Sequence, residues 1–441
     1  MENQSISQRR KGDIVYSNLN IFLAKIIKSI KHPNEEVHVK KDSKAPKGKN
    51  KLINLIIMLN YVFIINVLYQ NFVVRCNQRE LQHRYSYIIL KTNGTGNISI
   101  FSKSYNLEYP NDIQIMSENL EFSTTNEVDK GYFFGNSGNI INTFKLIWNK
   151  EINSTYNMFK ECKNIIEINL ANFNSSRVTK MNQMFDGCSS LSNLDLTNFN
   201  TSLVTNMQGM FRGCSSLKTL ILTNFITSLV TDMSFMFKEC TSLILLDLSS
   251  FNTSNVSDMR DMFYKCESLR SLNLSSFNTS KVSLMTSMFE KCSSLTTLDL
   301  SNFNMSLITS FWYTFRECSS LNSLKLSHFN TSGIKDMYYM FYKCKNLITL
   351  DLSNFNTSKI ENMENTFGEC SSLISLNLSN FITPQLKKME SLFYGCSSLK
   401  LLDISKFNTS LVTNMKYIFN GCSSLISLDL FNFDTSLVTS M

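Results

Sequence analysis

Eleven of the twelve cysteines fall at an interval of 26 residues, at Cys162, Cys188, Cys214, Cys240, Cys266, Cys292, Cys318, Cys344, Cys370, Cys396 and Cys422. Thiols offer three chemistries: disulfide cross-linking, soft-metal ligation and nucleophilic attack. The spacing speaks against each. One cysteine per period stacks as a single column with no natural partner scheme, and no C-x-x-C pair or Cys/His cluster supplies a metal site. Of the four histidines, His32, His38 and His83 precede the periodic region and His328 stands alone. No nucleophile–base–acid set or phosphate-binding loop accompanies the thiols. The pattern therefore predicts a column of buried free thiols acting as small apolar residues. No enzyme activity, cofactor or metal is expected.

Three other residue sets could carry function. The position seven residues after each cysteine carries Asp195, Asp247, Asp299, Asp351 and Asp403, separated by Asn, Ile or Lys in the units between. An acidic stripe for a cationic ligand is one reading. Separation of like charges on paired strands is the other, and the preferred one. Six and five residues before the cysteine, adjacent units carry Trp312-Tyr313 and Tyr338-Tyr339, with Tyr342 nearby and Phe311 replacing the usual Met. Stacked units would merge these rings into one exposed patch, the form ligand contacts commonly take. Repacking around Phe311 is the structural alternative. Finally, Asn93, Asn97 and Asn153 head N-x-Ser/Thr sequons, as do several repeat asparagines that coincide with a turn.

The elements that position these residues follow from the unit containing Cys188. Val178, Met181, Met184 and Phe185 are spaced as a helical face, with Thr179 as N-cap and Gly187 as helix stop. Leu191, Leu194 and Leu196 then form a short strand, Phe199 closes the core, and Asn200-Thr201-Ser202 makes a turn. Phe recurs three residues before and eleven after each of the eleven cysteines. One unit buries too little apolar surface to offset the ordering of its backbone, so units must stack. The expected class is α/β: a solenoid of strand plus short helix, with a parallel, in-register strand ladder. The run Met184-Phe185-Asp186-Gly187-Cys188-Ser189-Ser190-Leu191, followed by Leu194-Asp195-Leu196, resembles the 26-residue repeat of the BspA-like leucine-rich-repeat surface proteins, also found in mycoplasma-type surface proteins. The resemblance covers about 143–441 and implies a leucine-rich-repeat-like solenoid displayed at a cell surface for adhesion or recognition.

The chain divides into four parts. Residues 1–51 hold 12 Lys+Arg against 5 Asp+Glu, which accounts for nearly all of the net charge of +8. The body has no basic excess, and nucleic acid is not an expected partner. Residues 52–74 carry no charge over 23 positions, long enough for a transmembrane signal anchor. Lys40, Lys41, Lys44, Lys47, Lys49 and Lys51 just before it place the basic tail in the cytoplasm and the repeats outside. Within the tail, residues 14–30 present an apolar face suited to a surface-lying helix. Residues 76–142 are expected to cap the first repeat, with strands within 85–101, and 143–441 hold eleven to twelve repeats. The reading is a single-pass cell-membrane protein whose repeats bind protein or glycan ligands. An intracellular protein-binding scaffold and a passive surface coat are the alternatives.

Overall fold

The computed structural model describes residues 86–93, 96–102, 107–116, 132–135, 141–326, 329 and 331–441. The basic tail and the apolar run 52–74 lie outside them; among the described residues no helix is long and apolar enough to cross a membrane.

Alternating apolar residues make the N-terminal strands. β1 (Ser86–Asn93) and β5 (Ile141–Trp148) pair antiparallel and bury Ile88, Leu90, Phe144, Leu146 and Trp148 on one face. β3 (Asp112–Met116) extends the sheet beyond β5. β2 (Gly96–Ser99) pairs instead with β4 (Tyr132–Gly135), so the two strands within 85–101 belong to different sheets. On its other edge β1 runs antiparallel to β6 (Ile165–Asn169), the first repeat strand, aligning Leu90 with Ile168 and pairing Lys91 with Glu167 at 3.0 Å. Phe101 packs on Phe159 at 5.4 Å, and Trp148 meets Phe173 edge-on at 5.4 Å. An antiparallel strand and a filled aromatic core thus close one end of a parallel ladder.

From β6 onward most units add one short strand in parallel register, and the Cys396 and Cys422 units continue the ladder as single bridges at Leu401 and Ser427. β7 (Asn193–Asp195) follows β6, β8 (Thr219–Leu220) pairs β9 (Leu245–Leu246), β10 (Thr297–Asp299) pairs β11 (Ser323–Lys325), and β12 (Thr349–Asp351) pairs β13 (Ser375–Asn377). Partners stand 26 residues apart, as in Leu298 with Leu324.

The second half of the unit departs from expectation: among the described residues there is no α-helix. Two positions per unit, five and one before the cysteine, take positive φ, as at Gln183 (57°) and Gly187 (76°). N–H groups of Met184 and Cys188 close turns on the carbonyls of Met181 and Phe185 at 3.3 and 3.1 Å. Those of Met181, Gln183, Phe185 and Gly187 reach across to Asn206, Gln208, Met210 and Arg212 of the next unit at 3.1, 2.8, 2.9 and 2.7 Å. A helix satisfies its donors internally and needs about 8–10 Å to its neighbour. Units tied residue by residue at strand spacing, about 4.8 Å, leave no room for one. Consecutive turns with inward corners produce the same apolar spacing, and Met181, Met184, Phe185 and Cys188 are all fully buried. Thr179 is therefore no N-cap; its N–H donates to the Asn153 carbonyl at 2.9 Å. Gly187 closes a turn rather than stopping a helix. The fold is a leucine-rich-repeat-like solenoid of strands and linked turns.

Inside run continuous columns. The phenylalanines three before the cysteine stack at 5.5 to 5.9 Å from Phe159 through Phe419. Beside them the cysteines are free and buried, Cys422 partly so. Each thiol from Cys188 to Cys422 donates to a carbonyl of the preceding unit, such as Cys292 to Phe263 at 3.2 Å. That same carbonyl already accepts the Cys266 N–H at 3.0 Å. The thiol satisfies its second lone pair, so the column is a hydrogen-bond ladder as well as apolar packing. A third column is polar: buried Thr279 donates to the Asn304 carbonyl at 3.1 Å and accepts the Asn304 N–H at 2.7 Å. In the next unit Met305 takes the threonine's place and is buried.

Candidate functional site

The linked turns decide which side chains reach solvent. Positions seven and four before the cysteine face the core, and the two residues between them lie on the outer side, buried where small, as at Ser234 and Ser287, and reaching solvent where large, as at Trp312 and Tyr417. In most units those two are small or polar. In the units of Cys318 and Cys344 they are Trp312-Tyr313 and Tyr338-Tyr339, and ladder pairing of Ser310 with Asp336 sets them side by side. Trp312 lies 5.9 Å from Tyr313 and 5.6 Å from Tyr338, Tyr338 lies 4.5 Å from Tyr339, and Tyr339 lies 4.8 Å from Tyr342. All five rings join one cluster. Trp312 is 46% exposed and the tyrosines are half-buried. Burial pushes the phenols of Tyr338, Tyr339 and Tyr342 above the usual range.

Beneath the cluster, Phe311 is fully buried and packs 6.3 Å from both Phe329 and Phe355. Repacking there accounts for Phe311 but not for the outward rings, which point away from it. Tyr313 and Tyr339 hold φ of 56° and 55°. Bulky residues rarely take this left-handed region, which costs about 1–2 kcal/mol. The Cys214 unit has Gly209 at the same place, and Phe235 and Tyr417 hold φ of 61° and 60° in theirs, so this conformation belongs to the repeat and the rings adopt it at a cost.

Arg316 joins the cluster to its charged surroundings. Its guanidinium lies 5.3 Å from the Tyr313 ring centre and 5.9 Å from that of Tyr342, and bonds Glu290 at 2.7 Å and Glu317 at 2.8 Å. The Tyr342 hydroxyl donates to Glu369 at 2.6 Å, and Lys343 sits 5.0 Å over its ring. Glu317 and Lys343 also border a shallow groove of about 500 Å³ whose other walls include Lys265, Lys291 and Lys345. Neighbouring glutamates take up most of this positive charge: Lys265 meets Glu239 at 3.5 Å, Lys291 meets Glu317 at 3.8 Å, and Lys343 meets Glu369 at 3.7 Å.

The aspartate row is brought into line but has backbone work to do. The carboxylates of Asp195, Asp247, Asp299, Asp351 and Asp403 accept the N–H two residues on, at 2.9 to 3.0 Å. Asn169, Asn273 and Asn377 do the same in their units. An Asx turn needs the side-chain oxygen and not the charge, so Asp and Asn alternate freely. Bonds from Ser301 and the partner Lys325 lower the Asp299 carboxyl to about 2, and serine bonds likewise lower Asp247, Asp351 and Asp403. The repeat sequons show the same chemistry, as where Asn200 accepts the Ser202 N–H at 2.9 Å. Asn153 is exposed and receives the Thr179 N–H on its carbonyl; Asn93 is exposed at the end of β1; Asn97 lies in β2.

The thiols offer no reactivity. Burial pushes Cys240 and Cys370 up to about 12 and raises the others, which suppresses the thiolate. Among the described residues no group of three His, Cys, Asp or Glu could hold a metal ion. Sequence reasoning missed Arg316 with its two glutamates, and the carboxylates of Glu364 and Glu390 beyond Tyr338. Lining up each unit's residues six and two before the cysteine would have found both.

No curated protein matches the chain. Two solved structures resemble it weakly. A leucine-rich repeat protein from Eubacterium ventriosum is 17% identical, covers 58% of this chain and 86% of its own, and has a TM-score of 0.26. The TLR13–ssRNA13 complex is 16% identical, covers 57% of this chain and 35% of its own, with a TM-score of 0.23. Residues 153–272, 220–323, 243–349, 265–381 and 372–441 each match one family model, together reaching from 153 to 441. With well over half of its length matched, the chain belongs to the family described as Mycoplasma protein of unknown function, DUF285.

Proposed function

We propose that the protein is a membrane-anchored, BspA-like cell-surface repeat protein that mediates adhesion or recognition, and that it contacts its protein or glycan ligand through Trp312, Tyr313, Tyr338, Tyr339 and Tyr342. The observation that carries this reading is local. The two outward turn positions carry at most one ring in every other unit but four in these two consecutive units, with Tyr342 as the fifth ring of the cluster, while the interior columns run on beneath. Tyr, Trp and Arg together are the side chains that dominate binding surfaces. The anchor is residues 52–74, with the basic tail inside and the repeats outside. Binding, not catalysis, is the proposed activity, with no cofactor and no nucleic-acid partner.

Eleven free cysteines favour a second reading, an intracellular protein-binding scaffold, because exterior compartments oxidise thiols. The chemistry of these thiols weakens that objection. Oxidation proceeds through the thiolate, and these groups are buried, protonated and engaged with carbonyls. Protease added to intact cells separates the readings. Cleavage of the repeats while a cytosolic control survives is the expected result; survival of both contradicts the surface assignment. Glycan attached at Asn93, Asn97 or Asn153 in a glycosylating host, seen as a glycosidase-sensitive mass shift, would support the same topology.

A further inference from the structure

The row that supplies Trp312 and Tyr338 continues, one unit at a time, into Glu364, Glu390 and Lys416. Ladder pairing of Asp336 with Asn362, Asn362 with Lys388 and Lys388 with Asn414 fixes that register. The aromatic cluster therefore borders two carboxylates set in adjacent units. Several glutamates on the turns are matched by a cation from the neighbouring unit: Glu239 by Lys265, Glu290 by Arg316, Glu361 by Lys387 at 2.8 Å and Glu369 by Lys343. Glu364 and Glu390 are not. Among the described residues no Lys, Arg or His lies within ion-pair distance of either. Lys416, next in the row, sits over the Tyr417 ring at 4.7 Å instead.

Two like charges side by side destabilise a ladder. Their repulsion is felt at Glu364, whose carboxyl is raised by burial first and by Glu390 second, with Lys388 offsetting part of the rise from beyond ion-pair distance. The register sets Glu364 one unit beyond Tyr338, and after burial its charge helps to raise the phenols of Tyr338 and Tyr339. Asp336 adds a third negative charge, although its oxygen receives the Tyr338 N–H at 2.8 Å, and Glu390 accepts a bond from Asn414 at 2.6 Å. The exposed Trp312 ring and the half-buried Tyr338, next to carboxylates without an ion pair, suit a cation, which gains from the ring quadrupole and the opposite charge at once. An anionic glycan would need the lysine groove, whose charge is largely taken up by its own glutamates.

We infer that Trp312, Tyr338, Glu364 and Glu390 form a docking surface for a cationic segment of a protein partner, with an arginine side chain stacked on the rings and paired to the carboxylates. Arginine fits better than lysine, because its planar guanidinium stacks and binds carboxylates in fork geometry. This deepens the proposed function and rests on the aromatic cluster being the contact surface.

The chain provides its own reporter. Of its two tryptophans, Trp148 is 1% exposed and Trp312 is 46% exposed, so a change in tryptophan emission on adding peptide reports chiefly Trp312. The full-length protein in detergent is titrated with hexa-arginine, with hexa-glutamate and with heparin, alongside E364Q/E390Q and the paired-carboxylate control E361Q. Circular dichroism confirms that each variant is folded. Hexa-arginine should change the emission in a salt-sensitive manner. Its Kd should rise at least tenfold in E364Q/E390Q and stay unchanged in E361Q, and the anionic probes should leave the emission unaltered. Equal affinity of E364Q/E390Q and the native protein overturns the inference, as does a Trp312 response to heparin. Loss of cell binding in W312A/Y339A with full binding by E364Q/E390Q would refute the cationic partner while leaving the aromatic contact surface standing.

Discussion

Replacing Gln183 by glycine and, separately, by alanine should give stabilities in an order opposite to that of a helix. Gln183 has φ of 57° and lies five residues before Cys188, inside the helix that the sequence pattern predicts. Both substitutions remove the same side chain and the same 3.1 Å bond from Lys160, so their difference isolates the backbone. In a helix interior, alanine exceeds glycine by about 1 kcal/mol. In the left-handed region an L-residue pays about 1–2 kcal/mol that glycine avoids. Glycine's greater freedom in the unfolded chain returns roughly 0.5–1 kcal/mol of that. The net expectation is Gln183→Gly more stable than Gln183→Ala by about 0.5–1 kcal/mol, a swing approaching 2 kcal/mol between the two geometries. The same pair of substitutions at Asp261 (54°) and Ser287 (55°) multiplies the effect. Urea denaturation followed by circular dichroism, compared as midpoints because repeat arrays need not unfold in two states, reads it directly. If alanine is the more stable at all three sites, the linked-turn structure is wrong.

Two further perturbations probe the interior and the strand face. Cys292→Ser should destabilise by about 1–3 kcal/mol, because an O–H donor needs about 2.5–3.0 Å. Its shorter bond to Cβ carries it away from the Phe263 carbonyl that the sulfur reaches at 3.2 Å. Cys292→Ala should cost less than Cys292→Ser, and the native thiols should resist a thiol reagent until denaturant is added; ready labelling of the folded chain would contradict the ladder. The Asp299 carboxyl, held at about 2, lies below its unfolded value of about 3.9. Its contribution is complete above pH 4 and is lost as pH falls toward 2, so D299N should flatten the acid limb of a stability–pH profile. An unchanged acid limb would show that the Ser301 and Lys325 bonds do not hold in solution.

The register, the inward residues and the column of unpaired thiols were legible because one column of equal side chains repeats without a break. The turns were not. Val178, Met181, Met184 and Phe185 satisfy a helical face and a chain of inward turn corners equally, and spacing within one unit cannot choose between them. The deciding fact lies between units: Gln183 donates to Gln208, not to its own chain four residues back. The aspartate row was visible as a pattern, but its cause, capping of the N–H two residues on, emerges only where Asn169 and Asn273 make the same bond. Trp312 and its neighbours stood out by residue type. Glu364 and Glu390 did not, because glutamate is common on turns and only their adjacency in consecutive units, beside the rings and without an ion pair, sets these two apart.

The most direct test of the functional account is a comparison of two double variants in one turn register. W312A/Y339A removes rings from the cluster, and R260A/D261A alters the same two turn positions in the Cys266 unit. Full-length protein of each kind is measured for binding to host cells and to protein and glycan arrays. The account predicts at least a tenfold loss for W312A/Y339A and native binding for R260A/D261A. Native binding by W312A/Y339A would contradict it.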